Sequence, residues 1–250
     1  MLSIAIVAQN EAHRLGRCLE SLAFADEVLV VDGGSTDGTP ELAASLGARV
    51  VYRTFTGFRE QRSFAVEQAH GPWVLSLDAD EVVTPALASE IRETLTAPAF
   101  TAYRIPRLDY MFGRWVRHGG WYPQYHVQLF RRDSGRWERE VHERWVTGGP
   151  MGTLRHPVLH YSHLEVADFI RKLDRYTTIA ARERAARGER VTLWRLALEP
   201  PAYFAYKYLW QSGFLDGAHG FTLAMLLGHY RFTELAKVRF HGSADQVSPP

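Results

Sequence analysis

Along the first hundred residues, short runs of β-branched and aliphatic residues alternate with stretches whose apolar positions recur every three or four. The runs at 2–8, 27–31, 49–52 and 72–77 are largely apolar, as expected of strands covered on both faces. Between them, 11–22, 39–46 and 58–70 carry a helical period, the second helix opening at Pro40. Parallel strands joined through helices of this length need right-handed crossovers, so the pattern predicts an α/β fold with a mostly parallel sheet flanked by helices. Ligands of such sheets bind beyond the carboxyl ends of the strands, so the residues closing each run are the first candidates for function.

Thr84 and Pro85 supply an N-cap and a first-turn proline for a helix reaching about residue 95. From 99 to 159 the pattern changes to short strands, among them 102–106 and 126–131, punctuated by seven glycines. An amphipathic helix is predicted over 165–188, with Val166, Phe169, Ile170, Leu173 and Ile179 on its buried face. Residues 193–237 are rich in aromatic and aliphatic side chains, but their longest charge-free stretch, 217–230, is 14 residues, short of the roughly 18–20 that span a bilayer. Aromatics interspersed with Lys207, Arg231, Lys237 and Arg239 suit a segment lying in a membrane interface, a packing helix or a dimer contact. The chain thus divides into an α/β half at 1–98, a β-rich stretch at 99–163, a helical region at 164–242 and a flexible tail at 243–250.

Composition narrows the class. The 250 residues are 46% hydrophobic and 23% charged, which excludes disorder and fibrous repeats. Cys18 is the only cysteine, so neither an internal disulfide nor a cysteine-rich zinc site is available. The first residues lack a basic segment and a cleavage site, and the chain is expected to be cytoplasmic, or peripheral on the inner face of the cytoplasmic membrane. A net charge of +1 announces no nucleic acid partner. It conceals an asymmetry: residues 1–100 hold 7 Lys and Arg against 14 Asp and Glu, whereas 101–250 hold 22 against 14. An acidic half suits a divalent cation, and a basic half suits an anionic partner or membrane surface.

The acidic residues are concentrated where strands end. LSLDADE (75–81) places Asp78, Asp80 and Glu81 within four residues, a crowding of like charge that a cation or a donor array must offset. Carboxylates suit Mg²⁺ or Mn²⁺, which complete their shells with water and phosphate. A solvated acidic turn capping the next helix is the plainer alternative. VLVVDGGSTDGT (28–39) closes the second strand with Asp32, able to accept from a base N–H, and with Gly33 and Gly34, which let a ligand approach the backbone. Asp37 and Thr39 read as turn and cap residues. Asn10 and Glu11 close the first strand, either framing a nucleobase or opening the first helix.

The order and spacing of IAIVAQNE, VVDGGSTDGT and LSLDADE resemble the nucleotide-sugar-binding half of inverting glycosyltransferase family 2, with its GT-A fold. That resemblance implies a UDP-sugar donor, with Asp32 on uracil, Asp78 on the ribose or nearby groups, and Asp80 on a metal bridging the diphosphate. Asn10, Glu11, Gly33, Ala79, Arg62 and Arg131 join the donor set, Arg62 lying where the family carries a basic residue. Ser63 departs from the asparagine usual after it. GGWYP (119–123), QLFRR (128–132), VHE (141–143) and GFLDG (213–217) are similar to the branch that adds sugars to lipopolysaccharide core or related envelope glycans, which implies a saccharide or lipid-linked acceptor.

Inversion at an anomeric carbon needs a base for the acceptor hydroxyl, and Glu143 is assigned that role, with Glu138 and Glu140 as rivals. His142 either ligates the metal with Asp80, orients Glu143, or is a buried structural histidine. His156, His160 and His163 make a weak zinc candidate because Pro157 breaks any helical face. Trp115, Trp121 and Trp137 suit core packing better than sugar stacking. A sugar-phosphate nucleotidyltransferase would carry a glycine-rich loop where residues 9–13 read QNEAH. A non-catalytic glycan-binding protein on the same fold is the second competitor.

Overall fold

Unbroken apolar runs form central strands because both faces of the strand must be covered. A computed structural model describes residues 1–139, 143–163 and 165–241 of the chain. In order, it contains β1 (Leu2–Ala8), α1 (Ala12–Glu20), β2 (Glu27–Asp32), α2 (Thr39–Ser45), β3 (Arg49–Tyr52), α3 (Phe58–Gln68), β4 (Trp73–Asp78), β5 (Glu81–Val83) and α4 (Pro85–Thr96). There follow β6 (Ala102–Met111), β7 (Arg114–Val116), β8 (Gln124–Arg131), β9 (Gly135–Glu138), β10 (Arg144–Thr147), β11 (Gly152–Thr153) and β12 (Val158–His163). The helices α5 (Val166–Ala186), α6 (Leu193–Ala205) and α7 (Gly217–Arg239) complete the described chain. Two units result, Met1–Leu108 with Pro123–Tyr161, and Asp109–Tyr122 with the residues from Ser162 onward. Residues 109–122, which chain order alone groups with the β-rich stretch, therefore cluster with the C-terminal helices.

In the first unit the sheet runs β3-β2-β1-β4-β8-β6-β12-β5, its first four strands parallel and β8 antiparallel to both β4 and β6. Period-two alternation sorts the central strands onto two cores. Ile4, Ile6, Leu75 and Leu77 face one way with Leu15, Leu87 and Ile91, while Ala5, Leu29, Val31, Val74 and Phe130 face the other with Ala65. Each fully buried large side chain contributes about 1.5–3 kcal/mol. Ala8 pairs with Asp32 and Val7 with Asp78, so β1, β2 and β4 end together at one sheet edge. The three motifs, at 4–11, 28–39 and 75–81, meet there.

The antiparallel β9–β10 pair packs on β8 through aromatics. Trp145 stacks on Phe130 at 3.8 Å between ring centres, and Trp137 meets both edge-on at 5.9–6.0 Å. Trp137 thus belongs to this cluster and not with Trp115, which sits edge-on to Tyr110 in the second unit.

In the second unit, α5 and α6 pack against α7. The buried stripe of α5 is Phe169, Leu173, Thr177 and Ala181, whereas Val166 and Ile170, expected inside, are 40% and 44% exposed. Small residues at 177 and 181 permit close approach, and the Thr177 hydroxyl is satisfied by the Leu173 carbonyl at 2.9 Å. Lys237 of α7 then donates to Thr177, Thr178 and Asp174, fixing that face by polar contacts that hydrophobic periodicity does not record. Asp216, ahead of α7, accepts from the backbone N–H groups of Arg117 and His118 at 3.0 and 2.8 Å and lies 2.9 Å from His118 Nδ1, tying the GFLDG motif to the residues just before GGWYP.

Truncating Phe130 removes the ring on which the hairpin stacks. Phe130→Ala is expected to lower unfolding stability by about 3–5 kcal/mol in urea titration, and Phe130→Leu by about 1–2; a Phe130→Leu variant as stable as the wild type would show that ring stacking contributes nothing.

Candidate active site

Each strand end at the common edge presents a different device. Asp32, at the end of β2, is buried and accepts from the N–H groups of Gly34 at 3.0 Å and Ser35 at 3.1 Å. That turn requires φ = +96° at Gly34, which glycine adopts without a Cβ penalty. At Gly33 an added Cβ would lie 3.2 Å from Gln9 Cβ and 3.4 Å from Phe55 Cβ. Asn10, after β1, takes a left-handed φ of +58°, donates its N–H to Ser35 Oγ and accepts from Thr36 N–H, both at 2.9 Å. Asp37 accepts from Thr39 N–H and Ala12 N–H, each at 3.1 Å, joining the starts of α2 and α1. The first two motifs are therefore one interlocked loop pair.

The third motif carries the charge. Asp78 forms an ion pair with Arg62 of α3, whose guanidinium also donates to Ser76 Oγ at 3.1 Å and lies 5.1 Å above the Trp137 ring. Burial works against the Asp78 carboxylate, yet Arg62, His160 and Arg107 together hold its pKa below the ordinary range. Burial likewise opposes charge on Arg62, but Asp78, Glu143 and Glu81 outweigh it and keep the guanidinium charged. Glu143, half-buried just before β10, is thus close enough to Arg62 to feel its field.

Asp80 lies 3.3 Å from Arg14 and 3.4 Å from His160 Nε2. Glu81 is 1% exposed; its Oε2 accepts from Asp78 N–H at 3.0 Å and Gln128 Nε2 at 2.7 Å, while Oε1 has no hydrogen-bond partner among the described residues. Burial first, then the neighbouring Asp78 charge, pushes Glu81 up to about 7. Glu11 opens α1, donates its N–H to Thr39 Oγ1 at 2.9 Å and keeps a buried Oε2 without a partner among the described residues. Its pKa is raised by burial and by Asp80, Asp78 and Asp37, against the effect of Arg14. Asp78, Asp80, Glu81, Glu11 and Glu143 thus share one region with Arg14, Arg62, Arg107 and His160.

The expected site residues are brought together unequally. Asn10, Glu11, Asp32 and Gly33 gather on the interlocked loops, and Arg62, Asp78, Asp80 and Glu143 belong to the charged cluster, with Ala79 packed into the core between the two aspartates. Arg131 does not join them. Because β8 runs antiparallel to β4, Arg131 pairs with Trp73 at the strand's opposite end and binds Asp133 at 3.1 Å. Arg107 faces Asp78 instead. His142 and the rival base Glu140 lie outside the described residues, and Glu138 pairs with Arg136 at 2.7 Å. Among the described residues, no group of three or more His, Cys, Asp or Glu forms a ready metal cage.

Sequence reading missed Arg107, Arg14 and Gln128, and considered His160 only as part of a zinc candidate, not beside Asp80. Only the pairing of β12 with β5, which sets His160 opposite Glu81, brings His160 to Asp80. His156 instead contacts Glu90 at 2.8 Å, so it and His160 have separate partners.

A mostly parallel sheet flanked by helices, with acidic loops at its carboxyl edge and a helical region following, is the GT-A architecture of glycosyltransferases. The fold agrees with that of Staphylococcus aureus TarS, a solved structure 14% identical that aligns over 100% of this chain and 93% of its own with a TM-score of 0.50. The model of glycosyl transferase family 2 matches residues 3–148, and the chain belongs to that family. LpsC of Rhizobium meliloti, a lipopolysaccharide core biosynthesis glycosyltransferase, is 33% identical over 95% of this chain and 91% of its own. The uncharacterized glycosyltransferase RP128 of Rickettsia prowazekii is 28% identical over 95% of this chain and 86% of its own.

A carboxyl group with a folded pKa above its unfolded value favours the native state below the unfolded pKa, and that contribution is lost as pH rises through the folded one. For Glu81 the window runs from about 4.5 to about 7. With divalent cations chelated, the wild type should lose about 3 kcal/mol of stability relative to Glu81→Gln between pH 5 and 8. Parallel urea-derived profiles for the two proteins would show that Glu81 does not titrate in this window.

Proposed function

We propose that this protein is an inverting, divalent-cation-assisted glycosyltransferase that moves a hexose from a UDP-sugar to a saccharide or lipid-linked acceptor in lipopolysaccharide core or related envelope-glycan synthesis. The observation carrying this reading is the convergence of Asp78, Arg62, Asp80 and Glu143 beside the Asp32 loop at one sheet edge. The likeness to LpsC over nearly the whole chain supports the lipopolysaccharide acceptor class.

On this reading Asp32 and the loops of Asn10 and Gly33 receive the uridine, and Asp78, oriented by Arg62, receives the ribose. The residues present fit a cation: Asp80 would hold it, and Glu11, whose buried Oε2 has no partner among the described residues, carries a carboxylate that burial first and then Asp80 and Asp78 penalise and that a cation would relieve. Mg²⁺ and Mn²⁺ commonly bind through one or two carboxylates plus phosphate, so the lack of a three-residue cage among the described residues is compatible with either. Bound there, the cation would offset charge on the departing diphosphate. Glu143 takes the proton of the acceptor hydroxyl as its oxygen bonds to the anomeric carbon, and the carbon–diphosphate bond breaks on the opposite face, inverting the configuration. Cationic Arg14 and Arg62 limit the repulsion that the acidic loops would otherwise exert on the donor.

Isothermal titration with UDP should give Mn²⁺-dependent binding that Asp80→Ala abolishes; equal binding by the variant removes Asp80 from the metal role. Glu143→Gln should keep UDP binding while kcat for transfer falls about 100- to 10,000-fold. Near-normal turnover would move the base to Glu138 or Glu140.

A further inference from the structure

The helical path from Leu193 through the π-helical turn at Tyr206–Trp210 leaves one face uncovered. Its outward positions fall in adjacent pairs four residues apart at 193/194, 197/198 and 201/202, and again at 209/210, and every one is exposed and uncharged. At the two ends stand Trp194 and Trp210, 77% and 82% exposed, with Leu193, Leu198, Tyr206 and Leu209 between or beside them. Eighteen residues at 1.5 Å each make this stripe roughly 27 Å long. The flanks are polar and already satisfied: Arg195 pairs with Glu199 at 2.5 Å, and Glu199 with Arg231 at 2.5 Å.

Such a face costs free energy in water, so something covers it for part of the protein's working life. Charge selects the occupant. Residues 109–122 and 162–241, the described part of the second unit, hold 14 Lys and Arg against 9 Asp and Glu, a net +5 in a chain of net +1. Arg187 and Arg190, exposed just ahead of the stripe, pair with no carboxylate among the described residues. Two like copies meeting through so cationic a unit would repel, whereas an anionic lipid surface attracts. Indole and phenol rings with aliphatic side chains between them match the depth of a headgroup boundary. No helix among the described residues is long and apolar enough to cross a membrane.

We infer that the exposed face of residues 193–210 docks on an anionic membrane surface, lying in its plane with Trp194 and Trp210 inserted and Arg187 and Arg190 against the headgroups. The inference deepens the reading above, on which it rests for the lipid-linked acceptor that such docking would bring within reach.

The test is flotation of the purified full chain with vesicles of phosphatidylcholine alone or mixed with phosphatidylglycerol, at ~0.1 M and ~0.5 M salt. Wild type should float with the anionic vesicles and release partly at high salt. Trp194→Ser with Trp210→Ser should lower partitioning about tenfold with an unchanged melting temperature, and Arg187→Glu with Arg190→Glu should remove the preference for anionic lipid. Wild type remaining in the aqueous fraction, or the double Trp variant floating normally, overturns the inference. A wild-type dimer in sedimentation equilibrium that the Trp variant abolishes, without vesicle binding, would assign the face to a second copy. The vesicles contain neither donor nor acceptor, so this result is independent of transfer: flotation with inactivity on every sugar tested counts against the proposed reaction alone.

Discussion

The pairing of Asp78 with Arg62 is the constraint on which the site depends. A strand ending in three carboxylates within four residues is self-repelling, and α3 answers it with a guanidinium that burial alone would drive toward neutrality. Each charge makes the other tolerable. Removing one partner of such a pair leaves the other uncompensated, a more serious defect than losing an exposed ion pair. Around this pair the remaining acids divide: Asp80 lies beside Arg14 and His160, while Glu81 escapes charge by holding its proton to about pH 7.

The position of Arg62 is in turn a packing result. Its guanidinium lies over Trp137, which is fixed by Phe130 and Trp145. Glu143 lies just ahead of β10, so one aromatic cluster lies beside both the guanidinium and the carboxylate proposed as base. A small core substitution in this cluster is thereby coupled to the chemistry at the sheet edge.

Much of this was legible in the chain. The parallel strands followed from β-branched runs, and strand ends named Asp32, Asp78 and Asp80, because a parallel sheet puts its chemistry at one edge. Arg131 shows where such reading stops. Its strand was evident, but strand direction was not, and antiparallel β8 carries Arg131 to the far end of β4. The place of His160 beside Asp80 was hidden for a related reason, since only the long-range register of β12 on β5 brings it there. On α5, hydrophobic periodicity chose Val166 and Ile170, whereas hydrogen-bonded Thr177 and Lys237 decided which face is buried. Side chains whose place depends on non-local pairing or on polar satisfaction leave little trace in local pattern.

One unit gathers acids at a sheet edge; the other carries an apolar stripe preceded by Arg187 and Arg190, which pair with no carboxylate among the described residues. Of the two assignments proposed for these surfaces, the donor site is the more fundamental. Its most direct test is a crystal grown with Mn²⁺ and UDP and measured at the manganese absorption edge. The account predicts an anomalous peak joining Asp80 to the diphosphate, with uracil against the Asp32 loop. A peak on other residues, or nucleotide bound with Asp80 still held by Arg14 and His160 and no metal beside it, would contradict it.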